Sequence, residues 1–211
     1  MKREIAMVGV GLTILSLSGC SEVSGGEAAP IPESSERISP NPSGNKGLPH
    51  SGAPAVTNPL PESVLAEHPC EVLTPQQIRE ILGEGVSEGE RKDLAELGPG
   101  CDWSNPETLG GFLVSFDIVS GDGLSGQYSN TKPQVQVFRE LASVGGFPAV
   151  AYKKTEDSRR CTVAVGLADE YSVVTTVSLS LGRGGNGADS CVPAERVSEM
   201  VVGNLKAKAG R

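Results

Sequence analysis

Aromatic residues are scarce in this chain of 211: four Phe, three Tyr and one Trp. Positive charge is scarce too, with 18 Lys and Arg against 26 Asp and Glu, a formal net charge of −8. Nucleic-acid binding wants a basic face with aromatic platforms, so that class is excluded. No polybasic segment is present to hold an anionic membrane surface. Histidine occurs only as His50 and His68. His50 falls in a linker-like stretch, so a Ser/His/Asp triad would have to use His68, and no G-x-S-x-G elbow accompanies it. His68 reads instead as an exposed residue at the end of that linker. There is no Cys-x-x-Cys and no His pair near a cysteine, which argues against zinc and against a redox-active dithiol. No catalytic residue, cofactor or metal site is expected.

The start of the chain carries a processing signal. Lys2 and Arg3 form a short positive region, and Ile5 to Leu17 is a mostly apolar run. About 13 residues is too short to span a bilayer but suits an export signal. Leu17, Ser18, Gly19 and Cys20 follow, a quartet that resembles a bacterial lipobox. The resemblance implies diacylglycerylation of the Cys20 thiol and cleavage before it. Removing residues 1–19 deletes Lys2, Arg3 and Glu4, so the mature charge becomes −9. The alternative is an ordinary secretory signal whose cleavage region contains a cysteine. The expected location is the extracytoplasmic face of the cell membrane, held through the N-terminal lipid, because two acyl chains anchor stably where one binds reversibly.

Residues 20–67 then read as the lipidated cysteine and a flexible tether. Residues 21–67 hold eight of the fifteen prolines, eight serines, five glycines and no aromatic residue. Val23, Ile31, Ile38, Leu48 and Val56 stand singly, without helical or strand period. Such composition does not bury enough surface to offset the entropy of ordering. A random-coil reach of roughly 40 Å follows.

Residues 68–211 read as one domain, with 14 Lys/Arg against 19 Asp/Glu. Thr74, Pro75 and Gln77 form a capping-box start, and Leu73 with Ile78 has staple spacing. The short helix they open stops at Gly83. Phe112, Val114, Phe116 and Ile118 alternate as a half-buried strand. Residues 149–154 form a weaker strand candidate. Cys161 to Leu167 and Val173 to Leu181 alternate again, joined through Ala168, Asp169 and Glu170 as a hairpin. Residues 133–144 fit helix or strand. Val197, Val201 and Leu205 share the face of a final helix, with Pro193 in its first turn. The fold expected is α+β: an antiparallel β-sheet packed against N- and C-terminal helices.

Four cysteines remain, Cys70, Cys101, Cys161 and Cys191, and an even set in an exported domain points to two disulfides. Three pairings are possible. Cys70–Cys101 and Cys161–Cys191 are favoured, because each joins a helix entrance to a neighbouring strand region. Each closes a loop of about 30 residues, worth roughly 3–4 kcal/mol in the chain-entropy model. Gly121 to Gly126 matches G-x-G-x-x-G, but Pro133 and the lack of βαβ order argue for a flexible loop rather than a dinucleotide site. Trp103 is expected to pack over a disulfide, with a binding-groove anchor as the alternative. Glu156/Asp157 and Asp169/Glu170 suit solvated turns. Arg159-Arg160 is expected as a charge guarding a strand edge.

The run His68-Pro69-Cys70-Glu71-Val72-Leu73-Thr74-Pro75, then Cys101-Asp102-Trp103, resembles a family of actinobacterial lipoproteins with a domain of unknown function, that of the mycobacterial LprB/LprC-type lipoproteins. Gly146-Phe147-Pro148-Ala149 and the Pro-Ala-Glu helix after Cys191 extend the likeness over most of residues 68–207. The family's layout is similar to a Mog1/PsbP-like sandwich. The likeness implies no catalytic residue, and makes Gly182 to Gly187 a loop particular to this chain. A non-catalytic binding module at the cell envelope is therefore expected, with a protein partner recognised near the 120–134 loop. A carrier or sensor of a lipid or small envelope ligand is the first alternative, needing an apolar cavity between sheet and helices. An envelope enzyme without a His-based site is the second.

Overall fold

Thr74 accepts a hydrogen bond from the Gln77 N–H at 3.2 Å, and Gln77 Oε1 accepts from the Thr74 N–H at 2.9 Å. With Pro75 in the first position, this reciprocal cap opens helix α1, Pro75–Leu82, in the computed structural model. The structure describes residues 47–184 and 187–211. The other α-helices among the described residues are α2 (Gly123–Gly126), α3 (Leu181–Gly184) and α4 (Cys191–Lys208).

Seven strands form one antiparallel sheet: β1 (Glu90–Arg91), β2 (Gly100–Asn105), β3 (Gly110–Asp117), β4 (Val137–Val144), β5 (Phe147–Lys153), β6 (Arg160–Gly166) and β7 (Ser172–Ser178). Their order is β1-β2-β3-β7-β6-β5-β4. The β6–β7 hairpin pairs Val163 with Thr175 and Val165 with Val173. The ambiguous segment 133–144 resolves with β4 as a strand against β5, broken by an irregularity between Leu141 and Val144.

Alternation puts Phe112, Val114, Phe116, Val163, Val165, Val173 and Val177 on one face. Helix α4 covers it with Ala194, Val197, Val201 and Leu205, a three- and four-residue spacing that lines up one stripe, each fully buried. Burial of each such Val or Leu stabilises by about 1.5–3 kcal/mol. Cys191, at the start of α4, bonds to Cys161 on β6, and Cys70 bonds to Cys101 on β2. Both favoured pairings are present.

The boundary of the ordered unit differs from the expectation. Residues 47–67, assigned to the tether by composition, belong to the same compact unit as the sheet. Leu60, Val64 and Leu65 are buried in the main core. The Leu60 N–H donates to the Leu167 carbonyl at 3.0 Å, and the Val56 N–H donates to Asp169 Oδ1 at 2.8 Å. Proline-rich chain can lie on a domain where regularly placed backbone groups and a few apolar side chains find partners.

The stretch 120–134 is likewise packed. Leu124 and Tyr128 sit on the opposite face of the sheet with Val150, Ala164 and Val174. Ser129, Asn130, Lys132, Pro133 and Gln134 stay exposed. Gly123 has φ +47, and a side chain there would strike the Asp169 carbonyl oxygen. The glycines of the G-x-G-x-x-G match therefore serve a tight packed turn, and the expected flexible loop is replaced by a short helix. Arg159 and Arg160 lie at the start of β6, between β5 and β7, so they guard no sheet edge. Part of the glycine-rich tract, Leu181–Gly184, is a helical turn.

Candidate functional site

The site begins where the Cys70–Cys101 disulfide fixes the turn Pro69–Glu71 against β2. His68, exposed as expected, accepts the Cys70 N–H at its Nδ1. Four residues later the Thr74 cap launches α1, whose Ile78 faces inward. Asn204 of α4 donates to the Val72 carbonyl at 2.8 Å and to Gln77 Oε1 at 2.9 Å, locking α1 to the last helix. The buried Asn105 donates from Nδ2 to the carbonyls of Leu82 at 3.0 Å and Glu84 at 2.9 Å. It thereby satisfies the Leu82 carbonyl, left open at the C-terminal end of α1, and the Glu84 carbonyl just beyond the helix. The chain then runs back across the mouth of β2, where the Ser87 N–H donates to the Ser104 carbonyl at 2.8 Å.

Between α1 and segment 84–89 lies a cleft of about 740 Å3, open to solvent. Leu73, Pro75, Ile78, Val86 and Trp103 make its apolar surface. Trp103 is buried, and its ring lies 5.0 Å from that of Phe112. A Cβ at Gly89 would stand 2.5 Å from Trp103 Nε1 and 2.8 Å from Cys101 Sγ, so only glycine lets the backbone cross this close. The ring thus belongs to the core beside the disulfide and also contributes to the cleft wall. Glu71, Glu84 and Glu88 bring three carboxylates to the lining against one guanidinium, Arg79. Such a surface favours an apolar group carried next to positive charge.

A model of the DUF3558 family, described as proteins of unknown function, matches residues 15–204. The chain belongs to this family. No curated protein matches it.

In this DUF3558 chain, the residues singled out from sequence are distributed rather than gathered. Cys20 and the lipobox residues Leu17, Ser18 and Gly19 lie outside the described residues. His50 donates its backbone N–H to Ser125 Oγ at 2.9 Å, and its ring faces Ser51 Oγ at 3.0 Å. Among the described residues neither the His50 ring nor the His68 ring is hydrogen-bonded to a carboxylate. Asp117, the last residue of β3, is the one buried carboxylate among the described residues: burial pushes its pKa up, against hydrogen bonds donated by Ser120 and Ser172. Burial and the neighbouring Glu140 push Tyr128 up to about 12. Burial likewise takes Tyr152 to about 12. None of these groups lines the cleft. Among the described residues no three His, Cys, Asp or Glu gather to hold a metal ion, and no helix is long and apolar enough to cross a membrane.

Sequence reasoning missed Asn105, Gly89 and Val86 as parts of a site. Asn105 follows Trp103 by two on β2, so its inward direction was readable from strand period. The approach of segment 84–89 to Trp103 had no local signal.

Proposed function

We propose that the chain is an exported lipoprotein of the actinobacterial LprB/LprC type, anchored through Cys20 at the extracytoplasmic face of the membrane. Its domain is a non-catalytic binding module that takes an apolar segment of an envelope protein, flanked by basic residues, in the cleft between α1 and segment 84–89. The open, acid-rimmed apolar cleft beside Trp103 carries this reading. Its volume falls in the range of ligand sites, while its exposure to solvent suits an anchor side chain on a larger partner. Support for the anchor comes from the order of positive residues, apolar run and Leu17-Ser18-Gly19-Cys20. The shifted titratable groups lie away from the cleft, which favours binding over acid–base chemistry.

The test places a photo-crosslinking residue at Val86 of the full-length protein in envelope membranes, with the same residue at exposed Asn130 as the reference. A discrete protein adduct at Val86, absent at Asn130 and lost on Ile78→Asp, supports the reading. A lipid or small-molecule adduct at Val86 overturns it in favour of a carrier. Release of Cys20→Ser protein from the membrane is expected, and undiminished retention contradicts lipid anchoring.

A further inference from the structure

In a chain of net charge −8, two neighbouring arginines, Arg159 and Arg160, form no ion pair among the described residues. Glu156 and Asp157 stand in the preceding turn and pair with neither. The Asp102 carboxyl lies within electrostatic reach of Arg160 but forms no ion pair with it. Because β6 is a central strand, edge protection does not account for the pair.

Both arginines line an open cleft of about 370 Å3, with Leu109, Ser158, Ser178 and Leu179. Arg159 donates from Nη2 to the Leu179 carbonyl, while its buried Nε–H has no acceptor. Arg160 Nε donates to Ser178 Oγ at 3.2 Å, holding the side chain against β7 and leaving its Nη groups for other acceptors. Ser158 Oγ bonds to both backbone groups of Arg160, at 3.0 and 3.2 Å, which stiffens the entry to the strand. Guanidinium forks match phosphate oxygens with paired, charge-assisted hydrogen bonds. Leu109 stands on the rim, exposed and at φ 56, in a region uncommon for leucine.

We propose that this cleft binds a phosphate-type oxyanion, supplied by a soluble phosphate ester or by a phospholipid headgroup. The proposal is independent of the α1 cleft and of the Cys20 anchor.

The experiment uses the full chain with Cys20→Ser, so that no acyl group contributes. One arm titrates inorganic phosphate by calorimetry; the other measures retention on mixed phosphatidylcholine–phosphatidylglycerol vesicles. Saturable binding is expected in at least one arm. Arg160→Gln should weaken it at least about tenfold, the weight of a charge-assisted hydrogen bond, with unchanged melting temperature. Arg91→Gln, which removes an exposed partner of Asp93, should leave it intact. Phosphate binding without vesicle retention assigns a soluble ester, and retention sensitive to Arg160 assigns the headgroup. Absence of saturable binding in both arms, or equal loss in the Arg91 and Arg160 variants, overturns the site. Arg159→Gln is a secondary variant, since its contact with Leu179 also serves the fold.

Discussion

The Tyr171 hydroxyl donates a hydrogen bond to the backbone carbonyl of Leu60, 111 positions earlier in the chain. It ties the N-terminal arm to the β6–β7 turn, and makes residues 47–67 a working part of the domain. Leu60→Ala should therefore lose about 2–4 kcal/mol of unfolding free energy, the cost of deleting a buried leucine side chain. Tyr171→Phe should lose about 1 kcal/mol. Urea unfolding measures both, and a neutral Leu60→Ala would mean that the arm is a free tether.

The glycines of the 121–126 tract should behave differently from one another. Gly123→Ala forces a side chain onto the Asp169 carbonyl at φ +47, and should cost about 1–3 kcal/mol. Gly126 has helical φ −61, and its nearest neighbour to a Cβ is Asp122 Cβ at 3.6 Å. Gly126→Ala should then be neutral or stabilising by up to about 1 kcal/mol. Paired thermal melts distinguish this from a flexible loop, in which both changes would be silent.

Thr175 occupies an inward position on β7, fully buried, and its hydroxyl has no hydrogen-bond partner. Thr175→Val keeps the branched shape and removes the unsatisfied group. An increase of about 1–2 kcal/mol in unfolding free energy is expected; a decrease would mean that the hydroxyl is satisfied in solution.

Asp189 accepts the Cys191 N–H at 3.1 Å and faces the buried Lys153 ammonium at 3.4 Å. The backbone bond and, secondarily, Lys153 hold its carboxyl below the ordinary value, against partial burial. A lowered folded pKa stabilises the charged state. The contribution is fully present above the unfolded value of about 4 and is lost as pH falls through the lowered one. Asp189→Asn should therefore destabilise at neutral pH by up to about 1 kcal/mol, since the carboxylate is partly exposed. The gap from wild type should close at acid pH. Melting temperature against pH for both proteins reads this directly.

Local chemistry made much of the fold legible. The Thr74–Gln77 cap, the alternation along β3, β6 and β7, and the Val197–Val201–Leu205 stripe are short-range patterns with a direct physical cause. The cysteine pairing followed from element order. The tether was misjudged because proline and serine content outweighed Leu60, Val64 and Leu65, whose spacing places apolar side chains close together on one compact turn. The cleft was less legible still. Trp103 could be singled out by its rarity, but Val86 and Gly89 acquire meaning only through a loop folding back onto β2, and Asn105 through carbonyls left open at the end of a helix.

The most direct measurement of the binding reading is a random-peptide display selection against the purified chain, followed by titration of selected peptides while watching the emission of Trp103, the chain's single tryptophan. The expected consensus is an apolar residue flanked by Lys or Arg, with binding that shifts Trp103 emission and is lost on Val86→Asp. An acidic consensus, no enrichment, or binding indifferent to Val86→Asp would contradict a peptide-binding role for the cleft.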